Sequence, residues 1–245
     1  MRDVRLTATD CRLPDADDLL PTTYYLLLTN TNISSIMAIR ITTQPSADDL
    51  FGKSHWWGSP DLPEGVDYPC SDELGADENG EEATLLFICQ IRLEDIAEYD
   101  AEGRLPHKGM LYFFADIDYF LGRDDADCEG LGQWPEECFR VLYAPECDNL
   151  VTHYIIDEDG NDVSLPEEAI SFAPCDDSES GFKLLGRPFY NEYEEHEGLV
   201  SLLQLDECEE WGLRFFDMGM ANFLISPEAL ARKAFNEAIF FVHSL

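Results

Sequence analysis

Apolar residues occur along this chain in short runs, separated by acidic stretches and by segments rich in proline and glycine. The runs Thr84–Leu93 and Gly109–Ile117 are apolar on both faces, which predicts two buried strands near the centre of a sheet. In the second half of the chain, Leu199–Asp206 and Gly219–Ile225 predict two further strands. Other strands are predicted at Tyr24–Thr29, Ala38–Thr43 and residues 238–245, and a hairpin is predicted around the turn Glu158–Asn161.

Helical signals are few. Glu94–Asp100 predicts a short helix or turn. Ser226 followed by Pro227 is a good helix start, and the pattern after it predicts a helix to about Asn236. Between the elements, His55–Pro69 predicts an ordered loop rich in proline and aromatic residues, and the acidic residues 71–82 predict a solvated excursion.

Short motifs recur in the same order in the two halves of the chain. Gly58-Ser59-Pro60 resembles Gly186-Arg187-Pro188, FICQI at 87–91 resembles SLLQL at 201–205, and GMLYFF at 109–114 resembles GMANFL at 219–224. This order predicts an internal duplication and an α+β, β-rich fold with two similar antiparallel lobes and few short helices. We expect one compact unit over residues 1–245, with a β-rich N-terminal extension (1–50), a first lobe (51–140) and a second lobe (141–245).

The chain is strongly acidic: 51 Asp and Glu against 15 Lys and Arg give a formal net charge of −36. Such a field repels nucleic-acid phosphates and anionic membranes and attracts basic protein surfaces, so we expect neither a nucleic-acid nor a membrane partner. Because 45% of the residues are hydrophobic and 12% are aromatic, the acidic residues belong to a folded protein and not to a disordered tail. Adaptation of a whole proteome to salt is the alternative origin of this charge.

Cysteine use and the N-terminus predict a cytoplasmic protein. The first residues carry charges where a signal peptide needs apolar ones, and no run reaches the ~18 apolar residues of a membrane span. Eight cysteines are scattered without any C-x-x-C pair, which favours reduced thiols over disulfides and disfavours a zinc site.

Two glutamines are unusual because each lies within a strongly apolar predicted strand. Burial of an amide costs free energy unless both its ends form hydrogen bonds. Gln90 and Gln204 therefore either anchor the Gly-x-Pro loop of their own lobe or line a cleft between the lobes. Trp57 and Asp217, the latter between Phe215-Phe216 and Gly219, are the other candidates for ligand binding at such a cleft.

Other candidate chemistry is weaker. Residues 157–168 resemble a calcium loop at positions 1, 3, 5 and 12, which are Asp157, Asp159, Asn161 and Glu168, but Asp162 replaces the required glycine, which favours a simple hairpin tip. His196 lies among four glutamates, where a solvated acidic loop is the preferred interpretation over a metal site. No nucleophile elbow, P-loop or dinucleotide fingerprint occurs, so we expect no metal, no cofactor and no catalytic residue assignable from motifs.

Six blocks in order carry a family resemblance: residues 55–69, 85–96, 105–116, 183–189, 201–206 and 217–245. Over roughly residues 50–245 the chain resembles the YwqG-like family, bacterial proteins catalogued as a domain of unknown function. It departs from the family pattern where His55-Trp56-Trp57-Gly58 replaces Lys-Phe-Gly-Gly, and where Trp211-Gly212 is separated from Asp217. The resemblance implies a β-rich cytosolic domain with repeated halves, no known catalytic residues, and, because some members lie near toxin genes, an immunity role.

Charge and resemblance together favour a non-enzymatic acidic cytosolic binding protein, most concretely an immunity protein that masks a basic toxin surface. The alternative is a small-ligand-binding protein or enzyme that uses a cleft between the lobes near Trp57, Gln90, Gln204 and Asp217. A deep pocket with converging polar groups favours the alternative, and a broad acidic face favours the binding protein.

Overall fold

The computed structural model of the protein describes residues 37–76, 82–122, 130–156, 159–190 and 196–244. The strand predicted at Tyr24–Thr29 lies outside these residues, as does most of the predicted N-terminal extension.

Short strands dominate the described chain, and they follow the short apolar runs of the sequence. Two short helices (α1 and α2) and a few 3-10 turns connect them. The strands and helices are β1 Met37–Pro45, β2 His55–Trp56, β3 Asp61–Pro63, β4 Cys70–Ala76, β5 Glu82–Thr84, β6 Leu86–Arg92, α1 Leu93–Ile96, β7 Met110–Ala115, β8 Gly132–Gln133, β9 Phe139–Ala144, β10 Leu150–Thr152, β11 Glu168–Asp176, β12 Lys183–Leu184, β13 Val200–Leu205, β14 Met220–Ile225, α2 Pro227–Ala231 and β15 Ile239–His243.

Eleven of these strands form one antiparallel sheet, in the order β8-β15-β14-β13-β12-β1-β11-β2-β6-β7-β9. Its centre is the pair β1–β11, whose register runs from Met37 opposite Asp176 to Pro45 opposite Glu168. The remaining strands form two small sheets, β3–β10 and β4–β5. The prediction of a β-rich antiparallel fold with few short helices is confirmed at this level.

The sheet curls so that strands near its two ends pack against each other. Phe113 on β7 lies 5.1 Å from Phe223 on β14, measured between ring centroids. Phe139 on β9, at one edge of the sheet, lies 6.0 Å from Phe240 on β15, near the other edge. These rings belong to one large apolar core, whose burial supplies most of the driving force for folding. The strands β6, β7, β13 and β14 contribute buried residues to both their faces, as their continuous apolar runs predict.

A second, smaller core lies on the outer face of β6 and β7. Phe87, Tyr112 and Phe114 pack there with Leu62 of β3. The β3–β10 pair, in which Asp61 lies opposite Thr152, is therefore fixed to this face of the large sheet. This placement brings the segments around residues 50–61 and 152–167 together.

The structure differs from the sequence predictions at five points. β6 and β7 lie near one end of the eleven-stranded sheet and not at its centre. The predicted loop His55–Pro69 contains the short strands β2 and β3. Within the acidic segment 71–82, the described part forms the strands β4 and β5, so it is not simply a solvated excursion. Strand β11 is missed, because most of its residues are half-buried and show no clean alternation, and Pro174 lies within it. The last helix begins at Pro227, and the Ser226 side chain accepts the capping hydrogen bond from the Ala229 N–H as predicted. It ends at Ala231, not near Asn236, because Lys233 adopts a left-handed backbone with φ 59°.

Candidate functional site

Gln90 anchors the loop that follows Gly58. Its Oε1 accepts a hydrogen bond from the Asp61 backbone N–H at 2.9 Å. Its Nε2 donates to the Lys53 carbonyl at 2.9 Å and to Asp61 Oδ2 at 3.0 Å. Both the oxygen and the nitrogen of the amide therefore form hydrogen bonds inside the protein, as a fully buried glutamine requires.

Gln204 does the same in the second half of the sheet. Its Oε1 accepts a hydrogen bond from the Phe189 backbone N–H at 2.9 Å, and its Nε2 donates to the Gly181 carbonyl at 2.8 Å. Each glutamine thus ties down the loop that contains the Gly-x-Pro motif of its own half. Between the strands that carry them, β6 and β13, the sheet order places β2, β11, β1 and β12.

Trp57 and Asp217 lie in different surroundings. Trp57 is buried against Trp211, with ring centroids 5.3 Å apart, and adopts a left-handed backbone with φ 55°. Asp217 is exposed, and its backbone N–H donates to Ser244 Oγ at 3.1 Å. Of the four residues predicted to bind a ligand, three are therefore buried and one is exposed.

A cleft of about 570 Å³ lies beside β3. Neither Trp57, Gln90, Gln204 nor Asp217 lines it. It is formed between residues 49–61 and 152–167, so it belongs to the outer face of the first half of the sheet. Its lining contains four carboxylates and no Lys or Arg: Asp49, Asp61, Asp162 and Glu167. We call it the acidic cleft.

Asp61 is the most firmly held of these acids. Its Oδ1 accepts a hydrogen bond from Thr152 Oγ1 at 2.7 Å. Its Oδ2 accepts from the Gly52 N–H at 2.8 Å and from Gln90 Nε2 at 3.0 Å. Its backbone carbonyl accepts from the Tyr112 hydroxyl at 2.7 Å. These bonds fix a buried carboxylate at the wall of the cleft without neutralising it.

His55 lies directly behind Asp61 and is completely buried. Its Nδ1 is 2.8 Å from the Trp57 carbonyl, and because a carbonyl only accepts, Nδ1 carries the proton. Burial lowers the pKa of His55, while the Trp57 carbonyl, the charge of Asp61 and a side-chain hydrogen bond with Gln90 act to raise it. The imidazole is therefore neutral, and its Nε2 presents a lone pair 3.9 Å from Asp61 Oδ2.

Glu167 completes the acidic group. Its Oε1 is 3.5 Å from His55 Nδ1. Burial, followed by the charges of Asp61 and Asp49, raises the pKa of Glu167, and the charge of Lys53 opposes the rise. The carboxylates of the cleft are therefore incompletely solvated and repel one another, which favours the binding of a cation.

The calcium-loop pattern lies partly outside the described residues. Asp157 and Glu158 lie outside the described residues, and Glu168 accepts a hydrogen bond from Trp211 Nε1 at 2.8 Å. Across the described ranges, no cluster of three or more His, Cys, Asp or Glu side chains is placed to hold a metal ion.

His196 corrects a sequence interpretation. It is buried, not solvated, and packs edge-on against Phe241 and His243 at centroid distances of 4.2 and 4.7 Å. Burial, followed by the charge of His196, lowers the pKa of His243 to about 4. His196 thus belongs to an aromatic cluster, although its neighbours in the sequence are acidic.

We expect the His243→Phe variant to lose less stability on acidification than the wild type. Below pH ~6.5 the unfolded chain protonates residue 243 while the folded chain does not, so the stability contributed by the neutral ring is lost as the pH falls towards 4. Urea unfolding at pH 7 and pH 4 should show the free energy of unfolding of the wild type falling by about 1–2 kcal/mol more than that of the variant. The difference is smaller than the full pKa shift would give, because water still screens the charge at residue 243. Parallel pH profiles of the two proteins would contradict this assignment.

The cysteines agree only in part with the expectation of reduced thiols. Cys70, Cys89, Cys147, Cys175 and Cys208 are not disulfide-bonded. Cys138 is disulfide-bonded, which the sequence expectation misses. Burial raises the pKa of the Cys89 thiol well above its usual value, so this cysteine is a packing residue and not a nucleophile.

A curled antiparallel sheet with an acidic cleft on one outer face defines a β-rich protein with a candidate cation-binding site. The profile of a family described as a domain of unknown function, DUF1963, matches residues 54–184 and 167–243. These matches cover most of the sequence, and the chain belongs to this family. No curated protein matches the chain. Among the described residues, no helix is long and apolar enough to cross a membrane.

Proposed function

We propose that this protein is a non-enzymatic acidic binding protein whose partner is a basic protein. The observation that carries the proposal is the acidic cleft: Asp49, Asp61, Asp162 and Glu167 converge on one cavity whose lining contains no Lys or Arg. A net charge of −36 adds a long-range field that draws a basic partner towards the surface.

The partner that we propose is a toxin, which would make the protein an immunity protein. Its support is the resemblance of six sequence blocks to the YwqG-like proteins, some of which lie near toxin genes. A cytoplasmic location is part of the same proposal. The five cysteines without a disulfide support that location, whereas the Cys138 disulfide argues against it.

We also propose that the two halves of the sheet arose by duplication. His55 lies opposite Gln90 and Lys183 opposite Gln204, so the two glutamines occupy the same register. Bulges fall between Phe87 and Cys89 in one half and between Ser201 and Leu203 in the other. Within this scheme the acidic cleft belongs to the first copy alone, because the second has Arg187 and Phe189 where the first has Ser59 and Asp61.

The proposed partner is the product of an adjacent toxin-like gene, and its association with the full chain should slow steeply with salt. Raising the ionic strength from about 50 to about 500 mM should lower the association rate constant roughly tenfold or more, because screening removes the long-range attraction. Stopped-flow fluorescence measures this rate directly. An association rate that does not change with salt, or no association at all, would overturn the electrostatic proposal.

A small-ligand-binding protein or enzyme is the second candidate. It is favoured by one observation, the neutral His55 held between Asp61 and Glu167 beside the acidic cleft. Under this proposal the ligand is a small cation, and a basic protein would bind no better than the free cation does.

A further inference from the structure

Exposed apolar side chains lie along one wall of the acidic cleft. Ile156 pairs with Asp162 in an isolated antiparallel bridge. Residues directly opposite each other in an antiparallel pair point to the same side, so Ile156 lies on the side of Asp162, which lines the cleft. Tyr154, two residues before Ile156, also lies on that side and itself lines the cleft.

The segment that forms the other wall of the cleft contributes Phe51. The exposed fractions of Tyr154, Ile156 and Phe51 are 64%, 62% and 52%, although the protein has a large core in which such groups are normally buried. We call these three residues the apolar strip. Large apolar side chains gathered on one exposed face are typical of an interaction surface, and tyrosine is enriched among the residues that contribute most to binding.

The charges around the apolar strip indicate what kind of molecule covers it. Every charged side chain that lines the cleft is acidic, and the exposed ones are Asp49, Asp162 and Glu167. A second copy of this chain would bring a net charge of −36 to the contact. Because like charges repel, this disfavours self-association, whereas a basic partner complements the rim of the strip.

Two of these exposed acids have an acceptor that the protein itself does not use. Oδ1 of Asp49 accepts a hydrogen bond from the Phe51 N–H at 3.0 Å. Oδ1 of Asp162 accepts from the Ser164 N–H at 2.9 Å. Among the described residues, Oδ2 of neither carboxylate forms a hydrogen bond or an ion pair. The buried Asp61, whose two oxygens are bonded inside the protein, has no part in this contact.

We infer that the basic partner packs a large apolar side chain against Phe51 and Tyr154, and that Lys or Arg side chains beside it bind the carboxylates of Asp49 and Asp162. This inference rests on the proposed function and names the surface motif that the site recognises. The cleft volume of about 570 Å³ lies within the range of ligand sites, roughly 300–1,000 Å³. The charges steer the partner and set the association rate, whereas burial of the apolar strip sets the lifetime of the complex.

The probe that tests this is the peptide acetyl-Lys-Trp-Lys-amide, titrated into the full-length protein and followed by NMR. Acetyl-Lys-Ala-Lys-amide has the same charge without the large apolar side chain, and acetyl-Glu-Trp-Glu-amide has the apolar side chain with the opposite charge. We expect the Lys-Trp-Lys peptide to bind at least about tenfold more tightly than the Lys-Ala-Lys peptide, because an aromatic side chain is buried. The Glu-Trp-Glu peptide should not bind, since its charges are repelled.

Two matched variants each remove two exposed apolar side chains and leave the net charge unchanged. The strip variant combines Phe51→Ala with Tyr154→Ala. The apolar control combines Leu131→Ala with Met218→Ala, whose side chains are similarly exposed and do not line the cleft. The strip variant should bind the Lys-Trp-Lys peptide about tenfold more weakly than the wild type, and the apolar control should bind it equally well. Circular dichroism establishes that both variants are folded.

Four results would overturn the inference: no binding of the Lys-Trp-Lys peptide, equal binding of the Lys-Ala-Lys peptide, equal effects of the two variants, or self-association of the wild type that the strip variant loses. The last result would show that a second copy covers the apolar strip. If the toxin-like partner still associates in a salt-dependent manner after any of these results, the proposed function stands and only the apolar contact fails. If the partner does not associate, the proposed function itself fails.

Discussion

Replacement of Gly219 by alanine is expected to cost about 3 kcal/mol or more of folding free energy, a large part of a typical domain's stability. A Cβ at this position would lie 1.9 Å from the Phe215 carbonyl oxygen and 2.3 Å from that of His243. Both are backbone atoms, so relief requires movement of the β14 start or of β15. Urea unfolding should show a lower midpoint, or no folded protein at all.

The matched control for this substitution is Gly130→Ala. No atom lies within 4 Å of a Cβ built at Gly130, so its stability should stay within about 0.5 kcal/mol of the wild type. Gly109→Ala, whose Cβ would meet the Ala144 carbonyl oxygen at 2.3 Å, should behave like Gly219→Ala. Equal stability of the Gly219 and Gly130 variants would show that the start of β14 is not packed as described.

Reversal of three cleft charges is expected to abolish partner binding while the fold is retained. Asp49, Asp162 and Glu167 are exposed acids that line the cleft, and each is replaced by lysine. The variant should bind the toxin-like partner about a hundredfold more weakly, because repulsion replaces attraction at a desolvated contact. Circular dichroism and thermal unfolding establish that the variant is folded.

Its matched control reverses three exposed acids that do not line the cleft, Glu136, Asp148 and Glu209. This variant has the same net charge as the cleft variant. Its association rate should fall, since the overall field is weaker, but its dissociation rate should not change. The two variants together therefore distinguish a general electrostatic attraction of the partner from a specific contact at the acidic cleft.

The sequence predicts well the strands that are buried on both faces, and predicts poorly the half-buried and the very short strands. β6, β7, β13 and β14 are found because continuous apolar runs leave few alternatives to buried strands. β11 is not found, since most of its residues are half-buried and are held by pairing with β1 and not by burial of a clean apolar face. The same applies to β8, two residues long, which only its pairing with β15 defines.

The glutamines illustrate what sequence reasoning reaches at a site. An amide within an apolar strand predicts a fully bonded side chain, and the hydrogen bonds of Gln90 and Gln204 to their loops confirm the structural one of the two interpretations. The acidic cleft is not predicted, because Asp61 and Glu167 are distant in sequence and many other acids resemble them. The signal that could have found Asp61 is its place after Gly58-Ser59-Pro60, in the loop that Gln90 was expected to anchor.

The comparison of the two triple variants tests the account most directly. Isothermal titration of the toxin-like partner into wild type, the cleft variant and the control variant gives three dissociation constants at equal ionic strength. The account predicts a cleft variant about a hundredfold weaker than the wild type and a control variant weaker by no more than about fivefold. Equal weakening of the two variants would contradict it, because the charge would then act as a general field and the acidic cleft would not be the binding site.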